Sequence, residues 1–124
     1  MENFTHKDIG SLAEIANKFE NGKAFLRDAL GLTSCEISVS FMPAGVALPF
    51  NHKHKQNEEV YIFLKGTGTM TLDGKTLEVK EGTCVKVLPS AVRTMQAKTD
   101  LQYICVQAKA GSLEQCGFGD AELC

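Results

Sequence analysis

The sequence predicts an all-β domain, a sandwich or barrel, and three observations carry that prediction. Short runs rich in β-branched and aromatic residues recur between residues 35 and 108, each closed by a turn signal. The first of them, residues 35–42, alternates Cys35, Ile37, Val39 and Phe41 against Glu36, Ser38 and Ser40, the period of a strand with one face covered and the other wet. Asp73-Gly74, between two such runs, is a two-residue hairpin signal of the kind that needs positive φ. Strands at this short, regular spacing are the pattern of sandwiches and barrels.

In chain order, Ser11-Leu12-Ala13-Glu14 has the hydroxyl and carboxylate of a capping box, and Ile9, Leu12, Ala13, Ala16 and Phe19 recur at helical spacing. A short helix is expected there, broken at Asn21 and Gly22. A second helical piece is expected over 24–30, stopped by Gly31 in a left-handed C-terminal position. Both pieces form a decoration over residues 1–34, outside the β core. Strand 35–42 follows, then a turn at Pro43-Ala44-Gly45, a polar turn at Lys55-Gln56-Asn57 and an apolar strand at 60–64. Strands 69–72 and 76–79 flank the Asp73-Gly74 hairpin. Glu81-Gly82, Pro89-Ser90-Ala91 and Lys98-Thr99-Asp100 separate the strands at 83–88, 92–97 and 101–108. The tail, 109–124, carries Leu113, Phe118 and Leu123 among polar residues, an arrangement that would cover a sheet edge.

The chain of 124 residues fits one domain, 1–124, with its core at 35–108. A net charge of −2 and no basic cluster longer than the Lys53, Lys55 pair leave no electrostatic footprint for nucleic acid. The N-terminal residues lack the charged-then-apolar order of a signal peptide, and no apolar run approaches the roughly 18 residues of a membrane span. A cytoplasmic protein with a small-molecule partner, no nucleic acid and no membrane is the expectation. The five cysteines are odd in number and form no Cys-x-x-Cys, so they read as reduced thiols packed as small apolar residues.

The chemistry-bearing stretch is 45–66, which holds two of the three histidines. His52 and His54 are two positions apart, so in extended backbone both imidazoles emerge on one face as a chelating pair, with Lys53 and Lys55 facing away. Carboxylates follow at Glu58 and Glu59. The turn at 55–57 resets the strand parity, so alternation alone does not choose between them. Two imidazoles and one carboxylate with open positions form a recurring site of metal enzymes that admit a substrate.

This stretch resembles the first motif of the cupin family: a glycine, about five residues, His-x-His, three or four residues, Glu, six residues and Gly. His52, His54, Glu59 and Gly66 fit its core, and Gly45 stands one residue further upstream than the pattern asks. The resemblance implies a double-stranded β-helix, or jelly-roll barrel, with short N-terminal helical segments. It also implies His52, His54 and Glu59 as ligands of a divalent transition metal, Fe, Mn, Ni or Zn, with Glu58 as the natural control.

The family's second motif is matched only in part. Gly82 and Pro89 have counterparts and Ala91 stands for the later glycine, but the place of the histidine falls on Thr94 counted from Pro89, or on Arg93 counted from Gly82. Three protein ligands are therefore implied, with water, substrate or a tail side chain such as Glu114 or Gln115 completing the shell. Tyr61 and Phe63 share one face of their strand and read first as core, second as cavity lining. Arg93, Thr94 and Gln96 are candidates for the cavity mouth. An inward Arg93 would bind an anion bidentately, although the plainer expectation is an outward surface charge. Two functions fit: a metal-dependent enzyme, of oxygenase or isomerase type, acting on a small molecule, and a non-catalytic ligand-binding or sensor module with a weak metal site. A homodimer through sheet edges is expected of small cupins.

Overall fold

The turns read in the sequence are where the chain reverses. The structure, a computed structural model, describes residues 2–49 and 51–124. Among them are eight strands: β1 (Lys23–Phe25), β2 (Glu36–Met42), β3 (Asn57–Lys65), β4 (Thr67–Leu72), β5 (Lys75–Lys80), β6 (Cys84–Val87), β7 (Arg93–Ala97) and β8 (Leu101–Lys109). They form two antiparallel sheets, one of order β1-β2-β8-β3-β6 and one of order β5-β4-β7. The histidine segment runs beside β7 without being a full strand. Ala47 bridges Gln96 and His52 bridges Arg93.

Asp73 and Gly74, with φ of 50° and 82°, make the two-residue hairpin, as their residue types require. The Asp73 carboxylate then accepts a 2.8 Å bond from the Val92 amide, tying this hairpin to the loop before β7. Gly66, with φ of 90°, turns β3 into β4 against the Asp100 carbonyl, which any Cβ would overlap. The core between the sheets is built by Phe63 from β3, Met70 from β4, Val79 from β5, Met95 from β7 and Leu101 from β8, all fully buried. Each such side chain contributes about 1.5–3 kcal/mol of transfer free energy.

The N-terminal third differs from its expectation. The helix at Ser11 is reduced to α1 (Ile15–Lys18). Ser11 and Glu14 do bond each other, the hydroxyl to Oε1 at 2.9 Å, but within the turn that precedes it. The second helix begins two residues late, as α2 (Leu26–Leu30), and ends at Gly31 in the left-handed conformation. Ala24 and Phe25 instead pair with Val39 and Ser38 as strand β1, because an open sheet edge offers backbone bonds that so short a helix cannot match.

The polarity of β2 is the reverse of its expectation. Ser38, Ser40 and Met42 face inward and are buried, while Ile37, Val39 and Phe41 lie on the other face, Val39 buried as expected and the other two only half-buried. Alternation predicts an apolar inner face. It fails here because the inner face of β2 lines a cavity and its outer face is covered by α1 and α2. The tail covers no sheet edge either: Leu113, Phe118 and Leu123 are 78%, 84% and 89% exposed. All five cysteines are free thiols, but Cys84, Cys116 and Cys124 are exposed, and only Cys105 is buried.

Candidate metal centre

Strand β3 decides between the two glutamates. Its burial alternates through Glu59, Tyr61 and Phe63, so Glu59 is buried on the inner face and Glu58 is on the other. The histidines arrive by a different route. His52 exchanges both backbone bonds with Arg93, at 3.2 and 2.9 Å, and the His54 amide donates to the Pro89 carbonyl at 2.8 Å. These bonds hold the segment extended, so both imidazoles point inward while Lys53 and Lys55 are exposed. One ligand atom from each of His52, His54 and Glu59 lies within 4.8 Å of the others.

The rings of His52 and His54 meet edge to face, with centroids 5.3 Å apart. His54 Nε2 lies 3.3 Å from Glu59 Oε2 yet is buried without a hydrogen bond. A cation between these donors satisfies both at once, and two imidazoles with a carboxylate suit a divalent transition metal. The residues fit such an ion. Burial, more than the field of neighbouring charges, lowers the pKa of His52 and keeps it in the neutral form that can ligate.

Glu59 is held from its other oxygen. Oε1 accepts a 2.8 Å bond from the Tyr61 hydroxyl and a 3.0 Å bond from Arg93 Nη1. Arg93 Nη2 donates to the Leu88 carbonyl at 2.7 Å and, more distantly, to that of Pro89. Arg93 is 1% exposed, so the expectation of a surface charge is corrected. Its inward orientation follows from the parity of β7, which turns Arg93, Met95 and Ala97 inward. The same parity turns Thr94 and Gln96 to the other face, Gln96 exposed, and neither lines the cavity as expected of them.

The cavity at the triad has a volume of about 200 Å³. Tyr61 lines it, whereas Phe63 lies deeper, in the core. Sequence reasoning missed Ser38, Tyr103 and Gln107 here, and took Cys105 for packing alone. The pairing register explains their presence. Ser40, Tyr103 and Phe63 form one cross-strand row, Ser38, Cys105 and Tyr61 the next, and Glu36, Gln107 and Glu59 a third. The Cys105 thiol points at Glu59 Oε2 from 3.5 Å, and burial pushes its pKa up to about 12. Burial likewise raises the Tyr61 and Tyr103 phenols. Glu114 and Gln115 are exposed in the tail and do not line this cavity.

The family model of the cupin domain matches residues 38–107, which contain both β sheets' central strands and the whole triad. The chain belongs to the cupin family. A cupin protein from Bacteroides fragilis superposes with a TM-score of 0.86 at 34% identity, covering 99% of this chain and 98% of that one. A predicted oxalate decarboxylase from Thermotoga maritima superposes with a TM-score of 0.63 at 23% identity, over 70% and 78% of the two chains, a likeness of fold. An uncharacterized protein of Methanocaldococcus jannaschii is 36% identical over 56 residues, 44% of this chain and 45% of the relative. The cupin thus matches under half the length of that relative. Among the described residues no helix is long and apolar enough to cross a membrane.

Proposed function

We propose that this cupin binds a divalent transition metal, Fe, Mn, Ni or Zn, through His52, His54 and Glu59, and uses it to act on a small molecule inside the sheets. The two sheets are read as the halves of a double-stranded β-helix over 35–108, in a single domain that forms a homodimer in the cytoplasm. The observation that carries the metal reading is the convergence of three donors within 4.8 Å, one of them a buried imidazole nitrogen with no hydrogen bond. A bound metal supplies Lewis acidity. The chain's own residues do the rest. His52 and His54 present imidazole nitrogens, Glu59 presents Oε2, and Arg93 and Tyr61 hold Oε1 so that the carboxylate keeps its orientation.

A second reading, a ligand-binding or sensor module with a weak metal site, is favoured by Arg93. Its buried positive charge sits beside the carboxylate, where a metal's charge would be repelled. Metal content by plasma mass spectrometry, on protein without a histidine tag, separates the readings. Near-stoichiometric metal in the wild type and in Glu58→Ala, lost in His52→Ala and Glu59→Ala, is the expected result. Absence of metal in the wild type after reconstitution with all four ions overturns the first reading.

A further inference from the structure

The cavity at the triad opens beside a second, larger one of about 690 Å³, a size typical of sites for drug-sized ligands. Lys23, Phe25, Leu48 and Tyr103 line both, so they form the junction. The larger cavity is a groove between the N-terminal segment and the loop after β2, walled by Ala16, Met42, Pro43, Val46 and Leu48. Apolar side chains left partly open to water there, with Phe25 55% and Val46 44% exposed, mark a binding surface.

The charge at the junction belongs to Lys23. Its ammonium stands 6.0 Å from the Phe25 ring centroid, and among the described residues no carboxylate lies within ion-pairing distance of it. Two other carboxylates line these cavities besides Glu59. Glu36 accepts a bond from the Arg27 amide at 3.0 Å, and Glu20 is exposed at the rim. Lys23 lines the triad's own cavity together with His52 and Cys105, which brings its side chain to the site.

We propose that the groove binds an amphipathic organic anion, its apolar body along Met42, Val46 and Leu48 and its carboxylate at the Lys23 ammonium, directed toward the triad. That direction rests on the metal reading above; the groove and the cation do not. An ammonium at the junction of an apolar groove, with no carboxylate paired to it among the described residues, selects a carboxylate over the alcohol of the same length.

The test is isothermal titration calorimetry of octanoate and of octan-1-ol against the full chain, once treated with a chelator and once with equimolar zinc. Octanoate is expected to bind wild type at least about tenfold more tightly than the alcohol. Lys23→Met erases that preference, Lys23→Arg keeps it, and Val46→Trp, which fills the groove, weakens both ligands. Circular dichroism shows that each variant is folded. Equal binding of the two ligands, an octanoate affinity unmoved by Lys23→Met, or no binding in either state overturns the proposal. So does a dimer that Val46→Trp converts to monomer without any octanoate binding, which makes a second copy the occupant. Lys23-dependent octanoate binding by a chain that takes up none of Fe, Mn, Ni and Zn supports the groove and overturns only the metal reading. Zinc uptake without octanoate binding does the reverse.

Discussion

Arg93 and Glu59 form an ion pair that crosses from one sheet to the other, Nη1 to Oε1 at 3.0 Å, with 1% and 6% of the side chains exposed. Glu59 belongs to the five-stranded sheet and Arg93 to the three-stranded one, so the pair is a clasp as well as a part of the site. Removing one partner strands the other charge without water. Arg93→Ala is expected to lower stability by about 3–5 kcal/mol, measured as urea unfolding of chelated protein. The double variant Arg93→Met, Glu59→Leu is expected to recover most of that loss, because two apolar side chains leave no buried charge. A single variant as stable as wild type would mean that water reaches the pair.

The clasp bears on what the sequence revealed. His52, His54 and Glu59 were legible because a short motif keeps ligands close in sequence, and the turns were legible because Asp73-Gly74 and Gly66 need backbone that other residues avoid. Glu59 was legible over Glu58 only through the family pattern, since the parity of β3 is set after a turn. The inward face of β2 was not legible. Ser38 and Ser40 are buried because they border a cavity, and a cavity is a property of two sheets, not of one strand. Arg93 was misread for the same reason. Its charge is tolerable inside only because Glu59 meets it from another strand and the Leu88 and Pro89 carbonyls meet it from the turn just before β7, and the decisive partner, Glu59, is brought there by the fold.

Arg93→His is expected to tighten the metal site. Position 93 is inward, paired in backbone with His52, and is where one alignment of the second motif puts a histidine. The substitution removes a repelling charge and adds an imidazole, closing a three-ligand set to four. An affinity gain of about tenfold or more for zinc, equivalent to about 1.4 kcal/mol, is expected in competition with a chelating dye at pH 7.5. Unchanged or weaker zinc binding by the folded variant would place position 93 out of reach of the metal.

Tyr103 makes stability fall in alkali. Its phenol, on β8 between Tyr61 and Phe63, is pushed by burial from 10.0 up to about 12. The folded state therefore keeps the proton over pH 10–12 while the unfolded chain releases it. The native state binds more protons there, so stability is full below pH 10 and declines as pH rises toward 12. At pH 11 the loss from this group is about 1 kcal/mol. Tyr103→Phe is expected to unfold in urea with a correspondingly shallower decline between pH 9 and 11, and an identical decline would assign the effect to other groups.

The five thiols are expected to separate by reactivity, because the thiolate reacts and burial withholds it. Cys105, whose pKa burial and the neighbouring Glu59 carboxylate raise to about 12, carries almost no thiolate at pH 8. Cys84, Cys116 and Cys124 are exposed and meet the reagent freely, while Cys35 is half-buried. Labelling native protein with a chromogenic disulfide, followed by mass spectrometry of peptides, is expected to modify those three first, Cys35 more slowly, and Cys105 only in urea. Zinc should leave the three exposed sites unaffected, since they lie outside the triad cavity. Rapid labelling of Cys105 in the native state would show that the cavity admits a reagent as far as the carboxylate.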